Sequence, residues 1–374
     1  MTESSHDSSP EPRTRLTGQG RNSAGRRGRH THTRKGGVPE PQPANTSARI
    51  GLRRTLRFGF AAVWLAAVLV SAGHFAAGHG WWSQPAVVSR TAAIAATWLG
   101  VVVLTRRTGG RPVVIGLFAA VVLGLVTAFP EEWALAGAAV TAACVYGVLG
   151  MVLTRPAGGL RALLELVMCA LAGVAGAVAV AAYDVGLRPF RFGVTVMVLV
   201  LVAGFALAWR LGQGVSSLGR RGLVLIIGGG LLVLALVAYA EAIRQWGSPE
   251  LVQEVVDAKA WVSDNLGAAP RPIEALVGFP AMVWGVTVRN RRRQGWWMCA
   301  LGSLGAAGVA ASLVQPRIGF VEGLTATGYD VVVGAVLGLL VVALDRLLTA
   351  GGRRVQVSAT APDRPEPARF APLL

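Results

Sequence analysis

Six ionisable side chains, His74, Arg90, Asp184, Arg188, Glu241 and Asp330, sit at or near the ends of long apolar runs, and they are the candidates for chemistry in this chain. An ionisable group costs about 2.5–3.5 kcal/mol to insert at the centre of a membrane span, so a chain keeps one there only for a reason. If the apolar runs close into a ring of helices, these six, with Arg191, Arg244, Arg317 and Glu322, line a polar vestibule on the outer side that could bind a small substrate. The competing expectation is an ordinary set of interfacial charges. His74 alone reads as a helix-end hydrogen-bonding residue before it reads as a catalyst.

Other chemistries lack their residues. There is no His-Glu-x-x-His run and no histidine–cysteine cluster for zinc, no phosphate-binding loop and no Gly-x-Ser-x-Gly elbow. One histidine lies within a span, too few for two axial haem ligands, and His30 and His32 lie on a polar tail. Cys144, Cys169 and Cys299 fall inside apolar runs, where a thiol behaves as a small hydrophobe. No catalytic, cofactor or metal set is therefore assigned. Glu165 lies one turn inside a span with Arg161 four residues before it, the spacing of a local ion pair. No acid falls near the expected midplane of a span, which disfavours transport coupled through a buried carboxylate.

The elements that must position these residues follow from composition. Of 374 residues, 53% are apolar and 15% charged, with a mean hydropathy of +0.53. A soluble domain carries about 25% charged residues, so this chain cannot cover a water-exposed surface of its size. Runs of about 20 apolar residues, the length that crosses a hydrocarbon core, recur along it. The fold class is all-α: a polytopic bundle of about ten spans near 58–77, 87–105, 112–129, 133–154, 161–182, 192–210, 222–242, 273–288, 296–315 and 329–349. The eighth is short and contains Pro280, which suggests a tilted or partly re-entrant helix.

Charge places the termini. With the amino end inside, 29 basic residues fall on the inner side and seven on the outer; within 58–350 the split is 13 to seven. That asymmetry orients the chain with both ends cytoplasmic in a bacterial inner membrane. The 34 arginines against two lysines, with abundant alanine, glycine and valine, fit a GC-rich bacterial genome.

Three segments accompany the spans. Residues 1–52 are rich in Ser, Gly, Pro and Arg and cannot bury enough apolar area to fold, so they read as a disordered basic tail, either a solvated segment that fixes orientation or one attracted to anionic lipid. No aromatic residue is interleaved there, so nucleic acid is not an expected partner. Residues 53–350 form the membrane domain and 351–374 a second disordered tail. Between the seventh and eighth spans, Ser248-Pro249-Glu250 opens a helix that Gly267 ends, with Val252, Val255, Val256, Val262 and Leu266 on one face. This amphipathic helix, about 248–267, is expected to cap the outer end of the bundle.

Span count and the missing enzyme motifs point to a permease for a small or amphipathic molecule. A non-catalytic membrane subunit that holds protein partners of an envelope or export complex is the alternative. A lipid-modifying transferase using His74 is a weaker one.

Overall fold

The computed structural model describes residues 58–73, 84–211, 219–290, 295–312, 319–350, 366–367 and 369–373. Every regular element among them is helical. In chain order they are α1 (Phe58–Gly73), α2 (Ala86–Arg107), α3 (Pro112–Ala128), α4 (Glu132–Val152), α5 (Leu160–Ala181), α6 (Pro189–Leu211), α7 (Gly219–Trp246), α8 (Pro249–Leu266), α9 (Phe279–Arg289), α10 (Gly295–Ser312) and α11 (Phe320–Ala350). The basic tail 1–52 and His74 lie outside the described residues.

Prolines and glycines set the boundaries. Pro112, Pro189 and Pro249 begin helices, where the missing N–H costs nothing. Gly267, at φ +77°, ends α8 within a residue of the expected position. Five helices, α2, α4, α5, α6 and the 320–348 part of α11, are long and apolar enough to cross a membrane; α1, α3 and the 227–243 part of α7 are apolar but shorter.

The expected eighth span takes an unusual form. Residues Glu274–Gly278 make a π-helical turn that runs directly into α9. Pro280 has no N–H to give, and its ring would crowd the carbonyl four residues back. The wider turn relieves this, with the Phe279 N–H reaching the Glu274 carbonyl. Turn and helix together span about 24 Å at 1.5 Å per residue, short of a hydrocarbon core crossed at right angles.

Packing is inside-out relative to a water-soluble bundle. Every residue of α10 is buried, and it runs between α4, α5, α6 and α9. The close approach is made by small residues. A Cβ on Gly278 would lie 2.4 Å from the Gly305 nitrogen, one on Gly302 2.8 Å from the Met282 Cα, and one on Gly173 2.8 Å from the Ala306 carbonyl oxygen. Glycine on these faces lets backbones touch where no larger residue fits. The outward surface is apolar instead: Phe118, Leu125, Val202, Leu234, Val332 and Leu340 are all exposed. An apolar exterior, with glycine and alanine where the helices approach most closely, suits lipid as solvent.

Candidate functional site

Two buried ionic constellations lie at opposite ends of the element formed by the π turn and α9. The first joins the segment after α8 to α11. Asp330, fully buried, accepts from the Arg271 backbone N–H (2.6 Å) and its Nε (2.8 Å), and pairs with its terminal nitrogen at 2.7 Å. That Arg271 nitrogen also donates to the Thr327 hydroxyl (2.7 Å), which in turn donates to the Gly323 carbonyl. Asp330 and Thr327 share a face of α11 because they lie three residues apart. One turn after Arg271, Glu274 is buried, its carboxylate pressed against α10 where a Cβ on Gly308 would be 2.0 Å from its Oε1. Tyr329 closes the group by donating to the Leu266 carbonyl at the end of α8 (2.7 Å).

The second constellation gathers the ends of α2, α4, α9 and α10 and the start of α5. The Arg289 side chain, wholly buried, lies 3.5 Å above the ring centroid of Trp296. It donates to the Thr154 hydroxyl (2.8 Å) and carbonyl (3.2 Å), and its remaining donors engage the carboxylate of Glu366 at 2.6 and 3.2 Å. Arg369 makes a two-pronged pair with Glu165 (2.7 and 2.8 Å) and donates to the Leu153 carbonyl. Arg107, also buried, donates to the Val152 and Ala371 carbonyls, and the Leu373 N–H returns a bond to the Arg107 carbonyl. The C-terminal residues 366–373, read from sequence as part of a disordered tail, are thus laid against the bundle in the described positions. Their physical reason is a set of complementary charges and the apolar Leu373, which packs against both halves of the core.

The sequence candidates fare unevenly. Among the described candidates, Asp330 alone enters one of these two constellations. Arg90 is half-buried at the start of α2, Asp184 and Arg188 are exposed between α5 and α6, and Glu241 accepts from Gln245 along its own helix. Asp184 occupies a left-handed position, φ 51°, that a short polar residue tolerates better than most. Glu165 is bonded not to Arg161, as the four-residue spacing suggests, but to Arg369 and the Arg155 backbone N–H. The helix 249–266 forms as expected, but Val255, Val256, Trp261 and Leu266 face outward instead of capping the core.

Reasoning from sequence passed over Arg271, Glu274, Arg289, Glu366 and Arg369. One signal was there for the first two: Arg271-Pro272-Ile273-Glu274 places opposite charges one turn apart at the mouth of a proline-broken run. Another is Phe370-Ala371-Pro372-Leu373-Leu374, an apolar patch on an otherwise polar tail. Among the described residues no group of three or more His, Cys, Asp and Glu side chains could hold a metal ion. No protein family, no curated protein and no solved structure matches the chain.

Proposed function

We propose that the chain is a permease-type protein of a bacterial inner membrane, with about ten spans and both termini cytoplasmic, that moves a small or amphipathic molecule. One observation carries the reading: a single short, proline-broken helical element has ionisable groups gathered at both of its ends, the half-buried Arg271 with the buried Glu274 and Asp330 at one and the buried Arg289 at the other. Interrupted helices with charged groups near their ends are the usual way a membrane protein builds a polar path. The charge asymmetry of the loops puts the Arg289 end inside.

The second reading, a non-catalytic subunit holding protein partners, is favoured by α8, whose apolar residues face outward on a helix that carries acids on its other side. Its acidic face makes a poor match to an anionic bilayer surface, and protein is the better partner for it.

Native mass spectrometry of the particle extracted in mild detergent separates the two. A lone chain or homodimer carrying a small molecule, followed by flux of that molecule into proteoliposomes that Asp330→Asn abolishes, supports the permease. A stoichiometric protein partner and no flux of any co-purified molecule overturns it in favour of the subunit.

A further inference from the structure

We propose that the pocket formed by Arg289, Thr154 and Trp296 is an oxyanion-binding site, taking a carboxylate or a phosphate, and that Glu366 of the chain's own C-terminal segment is the ligand it holds in this structure.

The cation is positioned by the bundle without help from the tail. Thr154, at the end of α4, fixes one edge of the Arg289 guanidinium through its hydroxyl and carbonyl. Trp296, on the first turn of α10, fixes its plane from 3.5 Å away. The Cys299 sulfur lies 3.7 Å from the nitrogen that Thr154 holds. The Nε hydrogen and one hydrogen of the second terminal nitrogen, whose other hydrogen goes to the Thr154 carbonyl, form the fork that matches the two oxygens of a carboxylate or phosphate. Glu366 fills that fork, at 3.2 and 2.6 Å.

The surroundings are unbalanced toward positive charge. Arg107, Arg155 and Arg289 belong to the bundle here, and Glu165 is the bundle acid bonded in their midst. Arg107 and Arg289 are both buried. A buried guanidinium left without an anion is strongly unfavourable, which favours an anion in the fork whenever Glu366 is displaced. The ligand in place comes from 77 positions along the chain, and its neighbours Arg369 and Leu373 bond to Glu165 and Arg107 of the bundle. Oxyanion and tail therefore compete for one site.

The test uses the full-length chain purified in detergent, with Glu366→Ala vacating the fork and inorganic phosphate as the probe. Calorimetric titration is expected to show phosphate binding to E366A about tenfold more tightly than to the unmodified chain, where the carboxylate must first be displaced. A parallel titration with phosphatidic acid in nanodiscs distinguishes a free anion from a lipid headgroup; binding of either supports the site and names its source. Arg289→Lys in the E366A background keeps the charge, loses the fork, and is expected to weaken binding about tenfold with an unchanged elution profile. A second readout needs no change in the pocket: with Leu373→Cys, phosphate is expected to speed modification by a maleimide polyethylene glycol reagent as the segment is released. No saturable binding of either probe to E366A at millimolar concentrations overturns the proposal, as does binding that Arg289→Lys leaves unaltered. A Leu373→Cys labelling rate indifferent to phosphate overturns the competition.

Discussion

The two ends of the α9 element are closed in different ways. At the Asp330 end the ions come from the helical bundle and its connecting segment, 59 residues apart, and the buried acid receives three donors from one arginine. At the Arg289 end the bundle supplies the cation and a C-terminal segment supplies the anion. The difference teaches what each end is built to withstand. The Asp330 pair ties α11 to the segment that leads into the π turn, so opening it means moving that segment and the turn behind it, whereas the Arg289 pair opens when residues 366–373 are displaced. The Asp330 end is a lock, and the Arg289 end is a seat.

The largest effect is expected where the lock is broken. Asp330→Ala leaves the half-buried Arg271 without its carboxylate, at an expected cost at the lower end of the about 3–5 kcal/mol for breaking a buried pair. Thermal unfolding of the purified protein in detergent checks it. Replacing both partners together, Arg271→Met with Asp330→Leu, is expected to recover more than half of that loss, since the penalty lies in the orphaned charge. If the single substitution is silent, the pair is no lock and the comparison collapses.

Next in size is the joint between the two ends. Gly278 ends the π turn against Gly305 of α10, and an added Cβ would lie 2.4 Å from the Gly305 nitrogen and 2.6 Å from its Cα, with no flexible side chain to give way. Gly278→Ala is expected to destabilise the fold by about 3 kcal/mol, at the upper end for overpacking. Gly124→Ala on α3, where nothing lies within 4 Å, serves as the control and is expected to be neutral or slightly stabilising. The same melting measurement reads both.

Much of this architecture was legible in the chain, and the reason is local. Helix boundaries follow from Pro112, Pro249 and Gly267, and the packing faces of α5 and α10 from small residues four apart, such as Gly173 with Ala177 and Gly302 with Ala306. Those signals act within one or two turns. The site was harder to read because its partners meet over long separations: Arg271 with Asp330, Glu165 with Arg369, Arg289 with Glu366. Helical spacing favoured Arg161 as the partner of Glu165, but tertiary placement brought a second arginine to the carboxylate with a two-pronged fit. Asp330 was found because charge within an apolar run is conspicuous. Arg289 was hidden because it stands beside three further arginines and looks like one more positive charge at a span end.

The smaller effects separate the ends from each other. Arg369→Ala removes the two-pronged pair with Glu165, whose arginine is partly exposed (23%), so its expected cost is about 1 kcal/mol. Its clearer signature is faster labelling of Leu373→Cys, because the segment loses an anchor. Thr327→Val is nearly isosteric and deletes the hydroxyl that accepts from Arg271, at an expected cost of about 0.5–1 kcal/mol. It should leave the Leu373→Cys labelling rate unchanged, since it acts only on the lock. Combined, the two substitutions are expected to add within about 0.5 kcal/mol, as independent sites do. Non-additive melting shifts, or a Thr327→Val variant that loosens the C-terminal segment, would mean that opening one end is felt at the other. That coupling would turn lock and seat into two states of one device, and α9, which carries Arg289 and continues the turn that holds Glu274, is the element through which it would pass.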